Sequence, residues 1–200
     1  MNVKRRTHTG FAISLVSMLA LLVTIIPQTA YAADPENKET VATVTFKPGE
    51  LELLTVPEFD FGEHAISATT QAYPSTDADT PIEISDLRGS NEGWDLNVSL
   101  TPFTLADGTT ESIQGSYIEI NNAVVSAVNN TVGVKPTVDE EGIHIDSDSS
   151  ETSIFKAVNS GGGVWQMTWD AEDATLTVLP GTVRTGENEA TLTWSFQATP

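Results

Sequence analysis

The sequence predicts an all-β fold: a single-domain antiparallel β-sandwich or barrel-like domain, Greek-key-like, with long loops. Three observations carry that prediction. Apolar and polar residues alternate with a period of two in several short runs, as on a strand with one face on a core and the other in water. Turn-forming clusters separate these runs, at Lys47-Pro48-Gly49, Tyr73-Pro74-Ser75, Ala106-Asp107-Gly108, Gly161-Gly162-Gly163 and Leu179-Pro180-Gly181. Past the N-terminal segment, no stretch shows a helical period.

Taken in order, the chain opens with Lys4, Arg5 and Arg6, an apolar segment from Phe11 to Ile26, and the small-residue site Ala30-Tyr31-Ala32. This reads as a secretory signal peptide over residues 1–32, cleaved between Ala32 and Ala33. Its apolar core is short for a spanning helix and is interrupted by Ser14, Ser17 and Thr24, so no membrane anchor is expected after cleavage. Asp34 to Thr40 reads as a flexible leader and Val41 to Phe46 as a first strand, giving residues 33–45 as leader and first strand and 46–200 as the β domain. Further strands are expected at Leu51–Val56, Ile82–Leu87, Gly93–Thr101, Tyr117–Val128, Ile143–Ile145, Val164–Trp169, Thr175–Leu179 and Ala190–Gln197. Within these, Asn121–Val128 also fits a short helical turn.

Composition narrows the function. The 200 residues carry 28 acidic and 9 basic side chains, net −19, and loss of the three basic residues of the signal leaves about −22. Such a surface repels nucleic acid and anionic lipid. On an anionic wall polymer, contact would have to come from stacking, hydrogen bonds or bridging cations. The chain has no cysteine, hence no disulfide, thiolate metal site or cysteine nucleophile. The roughly 168 residues after the signal suffice for one domain burying roughly 70% of its unfolded surface.

Catalytic and metal signals are sparse. His64 and His144, the only histidines beyond the signal, lie in no H-x-x-x-H or H-x-H spacing, and no G-x-S-x-G elbow occurs. Asp146-Ser147-Asp148-Ser149-Ser150-Glu151 begins like a calcium loop, but Glu151 stands where glycine is needed and Ala157 where a bidentate glutamate is needed. It reads as a solvated loop, as do Asp77, Asp79, Asp139, Glu140 and Glu141. A wall hydrolase would need two carboxylates with unequal pKa values, and no pair stands out. No catalytic residue, metal or cofactor is assigned.

Two tripeptides, Trp94-Asp95-Leu96 and Trp194-Ser195-Phe196, lie 100 residues apart in alternating runs. Trp94, Leu96, Val98 and Leu100 share one parity, as do Ala190, Leu192, Trp194 and Phe196. Large aromatics so placed read first as core, with direct ligand contact as the alternative. The two motif strands are expected close together, in one sheet or across the sandwich. Trp165, Met167 and Trp169 form a third one-sided row, read as core ahead of a sugar-stacking platform. Arg88, beside Asp86 in strand parity, fits a turn-holding role ahead of contact with a peptide-stem carboxylate. The candidate ligand-binding residues are thus Trp94, Leu96, Trp194, Phe196, Trp165, Trp169 and Arg88.

The order and spacing of Val56-Pro57-Glu58-Phe59-Asp60-Phe61-Gly62, Asp86-Leu87-Arg88-Gly89, Gly93-Trp94-Asp95-Leu96 and Ala190-Thr191-Leu192-Thr193-Trp194-Ser195-Phe196, with Pro200 closing the chain, resemble the WxL domain of Gram-positive surface proteins. The resemblance runs from about Phe46 to Pro200 and departs at Phe196, where the family commonly has leucine. It implies a secreted protein held non-covalently at the cell surface, with peptidoglycan as ligand and other cell-surface proteins as partners. The absence of an L-P-x-T-G-type sorting signal and of a C-terminal apolar tail agrees with non-covalent attachment. The alternatives are a scaffold subunit docking on a partner surface protein without touching the wall, and a wall-active hydrolase.

Overall fold

A computed structural model of the chain describes residues 37–77, 80–139 and 141–199. The signal peptide expected over residues 1–32 and its expected cleavage site lie outside the described residues. The chain divides into two units, residues 1–44 and 45–200. In the first, the described residues 37–44 are exposed and form no strand or helix.

The second unit carries thirteen strands among the described residues: β1 Leu51–Thr55, β2 Gln71–Pro74, β3 Ile82–Asp86, β4 Trp94–Leu100, β5 Thr104–Leu105, β6 Tyr117–Ile120, β7 Val124–Val128, β8 Ile143–Asp146, β9 Glu151–Ala157, β10 Gly163–Thr168, β11 Ala174–Val178, β12 Asn188–Glu189 and β13 Leu192–Ala198. A single 3₁₀ turn, Ala171–Asp173, joins β10 to β11. The strands form four antiparallel sheets ordered β1-β3-β10-β7, β2-β11-β6-β8, β12-β5 and β13-β4-β9. None closes on itself, so the barrel-like alternative is not realised. No two consecutive strands pair, which makes every ladder non-local and the fold one of high contact order.

Three expectations are corrected. Val41–Phe46 is not a strand: Val41, Val44 and Phe46 are 93%, 72% and 84% exposed, and β-propensity without a ladder partner does not make a strand. Tyr117–Val128 is two strands in different sheets, parted at Asn121-Asn122, where Asn122 takes φ of 53°, a left-handed conformation that asparagine tolerates. The acidic stretch from Asp146 to Glu151 is not all loop, since Asp146 ends β8 and Glu151 begins β9.

The core is one apolar cluster. Ile82 and Ile84 of β3, Ile118 and Ile120 of β6, Ile143 and Ile145 of β8 and Met167 of β10 are buried in it. The alternation on β4 is strict, with Trp94, Leu96, Val98 and Leu100 buried and Asp95, Asn97 and Ser99 half-exposed.

Candidate functional site: the motif sheet

Both tryptophan tripeptides belong to one sheet and are hydrogen-bonded neighbours. In the β13-β4-β9 sheet, Leu192 faces Leu100, Trp194 faces Val98, Phe196 faces Leu96 and Ala198 faces Trp94. On the other side of β4, Trp94 faces Ala157 and Leu96 faces Phe155. The strands meet because each presents the same parity of apolar residues to the core, and a one-residue slip would turn every one of them into water.

Trp94 has no exposed surface. Its ring packs edge-on against Phe155 at 4.9 Å and Phe196 at 5.8 Å between centroids, an arrangement favoured by the ring quadrupoles. Its Nε1 donates to the Gly161 carbonyl at 3.3 Å. Gly161 holds φ of 89°, and a Cβ there would strike Ala157 Cβ and Trp94 Nε1. Only glycine lets this loop close over the indole. Leu96 is likewise fully buried, whereas Trp194 and Phe196 are half-buried at the margin of the core, because β13 is an edge strand.

Arg88 is a clamp between β3 and β4. Its Nε and Nη2 bond the two oxygens of Asp86, each at 2.9 Å. Nη2 also reaches the carbonyls of Glu92 at 3.1 Å and Gly93 at 3.0 Å, and Nη1 reaches the Glu92 carboxylate at 3.3 Å. The hydrogen bonds that Arg88 donates to Asp86 raise its pKa above the ordinary value; burial opposes them, and the charges of Asp86 and Glu92 add to them. The Gly93 carbonyl accepts in addition the N–H of Thr199 at 3.0 Å. One arginine therefore ties the entry of the first motif strand to the exit of the second. A Cβ at Gly93 would collide with the Ala157 carbonyl, so the residue before Trp94 has to be glycine.

The third tryptophan row lies elsewhere. Trp165 faces Ile84 and Met167 faces Ile82 across β10 and β3, and both are buried. Trp165 Nε1 donates to the Gly162 carbonyl at 3.1 Å. Trp169 is buried, and Phe59 stacks on it at 6.2 Å and on Phe61 at 6.1 Å, so the Phe59-Asp60-Phe61-Gly62 element serves as its cover. Of the seven candidate ligand residues, the structure brings Trp94, Leu96, Trp194 and Phe196 into one sheet with Arg88 at its entrance. Trp165 lies on β10, an interior strand of another sheet, and Trp169 follows directly after that strand. The opposite face of the motif strands is turned away from the core and carries their polar residues.

That face was only half-legible in sequence. From β4 it carries Asp95, Asn97 and Ser99, from β13 Thr193, Ser195 and Gln197, and from β9 Glu151, Ser153 and Lys156, set in adjacent register. Ser153 Oγ donates to Asp95 at 2.6 Å, and Ser195 Oγ donates to Glu151 at 3.0 Å, stitching β13 to β9 across β4. A shallow groove lined by Thr137, Val138, Asp139, Ser153, Ile154 and Lys156 lies beside β9. The β9 contribution escaped sequence reasoning because a register shift between Leu96 and Asn97 lets Ile154 and Phe155 both turn inward, breaking the alternation that would mark a strand.

The family described as WxL domain surface cell wall-binding matches the chain over residues 24–200. No curated protein and no solved structure shows a significant match.

Proposed function

We infer the function from one premise: the chain belongs to the WxL domain surface cell wall-binding family, and so binds the cell wall non-covalently at the cell surface. The finer reading is that peptidoglycan is the ligand and that the outward polar face of the β13-β4-β9 sheet receives it. The observation that supports this is the composition of that face: hydroxyls, amides, two carboxylates and a single lysine. Such groups exchange hydrogen bonds with sugar hydroxyls and with the amides of a stem peptide, which a chain this acidic needs in place of charge attraction. The protein acts without catalysis in this reading. The carboxylates on the face, Asp95 and Glu151, each accept a serine hydroxyl, which serves to hold a surface together.

Assembly with other surface proteins belongs to the same reading. It is favoured by Val124, Val132 and Val134, which are exposed near β7 and offer apolar area to a protein partner. Co-purification from native cell envelopes tests it.

Sedimentation with purified peptidoglycan tests the wall contact. Combined Asn97→Ala, Ser153→Ala and Gln197→Ala substitutions should weaken binding by about tenfold or more, equivalent to about 1.4 kcal/mol, with the melting transition little changed. Unchanged binding would move the contact to another face, and wild-type protein that fails to sediment at any salt would remove peptidoglycan as the ligand.

A further inference from the structure

We propose that copies of this protein join end to end, the segment Val41–Phe46 of one molecule adding as a strand to the free edge of β13 in the next.

The acceptor is defined by hydrogen-bond parity. Thr101 N donates to Thr191 O and Thr199 N donates to Gly93 O, which fixes the odd-numbered residues of β13 as those bonded to β4. Antiparallel pairing alternates, so the N–H and C=O groups of Leu192, Trp194, Phe196 and Ala198 point to the opposite side. In the sheet order β13-β4-β9 no strand lies there. Edge strands elsewhere in the protein are defended in the usual ways. β1 carries Glu52, β2 is four residues long and ends in Pro74, β8 carries His144 and Asp146, and β9 carries Glu151 and Lys156 and has a bridge from Thr137 to Lys156. β7 is five residues long, and left-handed asparagines stand close to both its ends. By contrast β13 has seven residues with no charge, no proline and no register shift.

The donor is defined by what it lacks. Val41-Ala42-Thr43-Val44-Thr45-Phe46 is rich in strand-forming residues, uncharged and exposed, and it lies in no strand. Its alternation suits the edge: Ala42, Val44 and Phe46 would extend the row of Leu192, Trp194 and Phe196, and Thr43 and Thr45 would extend the hydroxyl row of Thr193 and Ser195. The added strand would cover the margin at which Trp194 and Phe196 are half-buried. Backbone hydrogen bonds then supply affinity and the alternating side chains supply register. Because donor and acceptor are different surfaces, the contact is heterologous and propagates into open chains. Repulsion between strongly acidic copies opposes it, so association should increase with salt.

The test uses protein exported and recovered from the medium of a Gram-positive host, examined by sedimentation velocity over a range of concentrations and salt. Oligomers that grow with both variables are expected, and Val44→Asp, a change at an exposed position, should return the protein to monomer without altering its melting transition. The chain has no cysteine of its own. Thr43→Cys protein mixed with Ser195→Cys protein should therefore give a heterodimer with a short bismaleimide, and Thr43→Cys mixed with Ser126→Cys, on β7, should not. A wild-type protein that remains monomeric throughout, oligomers that survive Val44→Asp, or cross-linking to β7 in place of β13 would each overturn the proposal.

Discussion

Replacing Trp94 by alanine should remove much of the protein's stability margin while leaving the outward face proposed to hold the wall intact. Trp94 is fully buried, packs edge-on against Phe155 and Phe196, and has its indole N–H bonded to Gly161. Truncating a tryptophan in such a site costs about 3–5 kcal/mol, a large share of the about 5–15 kcal/mol of a typical domain. Trp194 lies on the same sheet in register with Val98 but is half-buried on an edge strand. Roughly half the apolar transfer is at stake there, so Trp194→Ala should cost about 1–2 kcal/mol. Urea unfolding followed by far-UV circular dichroism separates the two. At a slope of about 2 kcal/mol per molar, Trp94→Ala should lower the midpoint by about 2 M and Trp194→Ala by less than about 1 M. Peptidoglycan sedimentation of the folded fraction should be retained in Trp94→Ala. Equal midpoint shifts for the two variants would refute the difference in burial. Loss of wall binding by folded Trp94→Ala would refute the assignment of the motif tryptophan to the core and the ligand to the opposite face.

Removing the Arg88 clamp should be costly in a graded way. Arg88→Met leaves the Asp86 carboxylate, 4% exposed, without its cation and should cost about 3–5 kcal/mol; Arg88→Lys keeps the charge but loses the bidentate geometry and should cost about 1–3 kcal/mol, both read from thermal or urea unfolding. The acid limb of stability should include the loop after β5. Asp107 accepts the N–H groups of Thr109 and Thr110 at 2.8 Å, which lower its pKa to about 2. Its folded pKa being depressed, the contribution is fully present above the ordinary aspartate pKa of about 3.9 and disappears as pH falls through about 2. A carboxyl-carbon NMR titration should place its midpoint near 2, and Asp107→Asn should remove that transition. Asp148 is shifted in the same direction by hydrogen bonding from Ser150, through its side chain first and its backbone N–H second.

Strands were legible wherever burial is one-sided. β4 alternates without a fault because one face meets the core along its whole length, and its bounds fall within one residue of the expected run. Where a bulge intervenes, as on β9, adjacent residues Ile154 and Phe155 are both buried and the period vanishes. Where a strand is short, as in β2, β5 and β12, too few residues exist to carry a period at all. Val41–Phe46 shows the converse, alternation and propensity without a partner within the described ladders. Pairing was harder to read than strand position, since no consecutive strands are neighbours and no turn sequence announces which distant run will pair. The clamp of Asp86 and Arg88 was readable from two residues of opposite charge in one parity. The glycines that shape the site, Gly93 and Gly161, were not, because their role depends on strands arriving from elsewhere.

The sheet also explains why a motif so informative about family says little about ligand. In a tryptophan-x-leucine strand the first and third residues share the core face, so their identity is dictated by packing. Only the middle residue faces outward, and here the two middle residues are Asp95 and Ser195. Neither acts alone: Asp95 accepts Ser153, and Ser195 reaches Glu151 over the intervening strand. Whatever the face binds must therefore engage a hydrogen-bonded lattice spanning all three strands, with β9 supplying one member of each pair. A substitution on β9, far from either tryptophan in sequence, should consequently change wall affinity as much as one inside a motif. Ser153→Ala leaves the Asp95 carboxylate without that donor and Glu151→Gln alters the acceptor of Ser195, while the core face of the sheet is untouched in both. On the proposed reading, the binding surface is a property of the sheet, assembled by the buried tryptophans and carried by the residues between them.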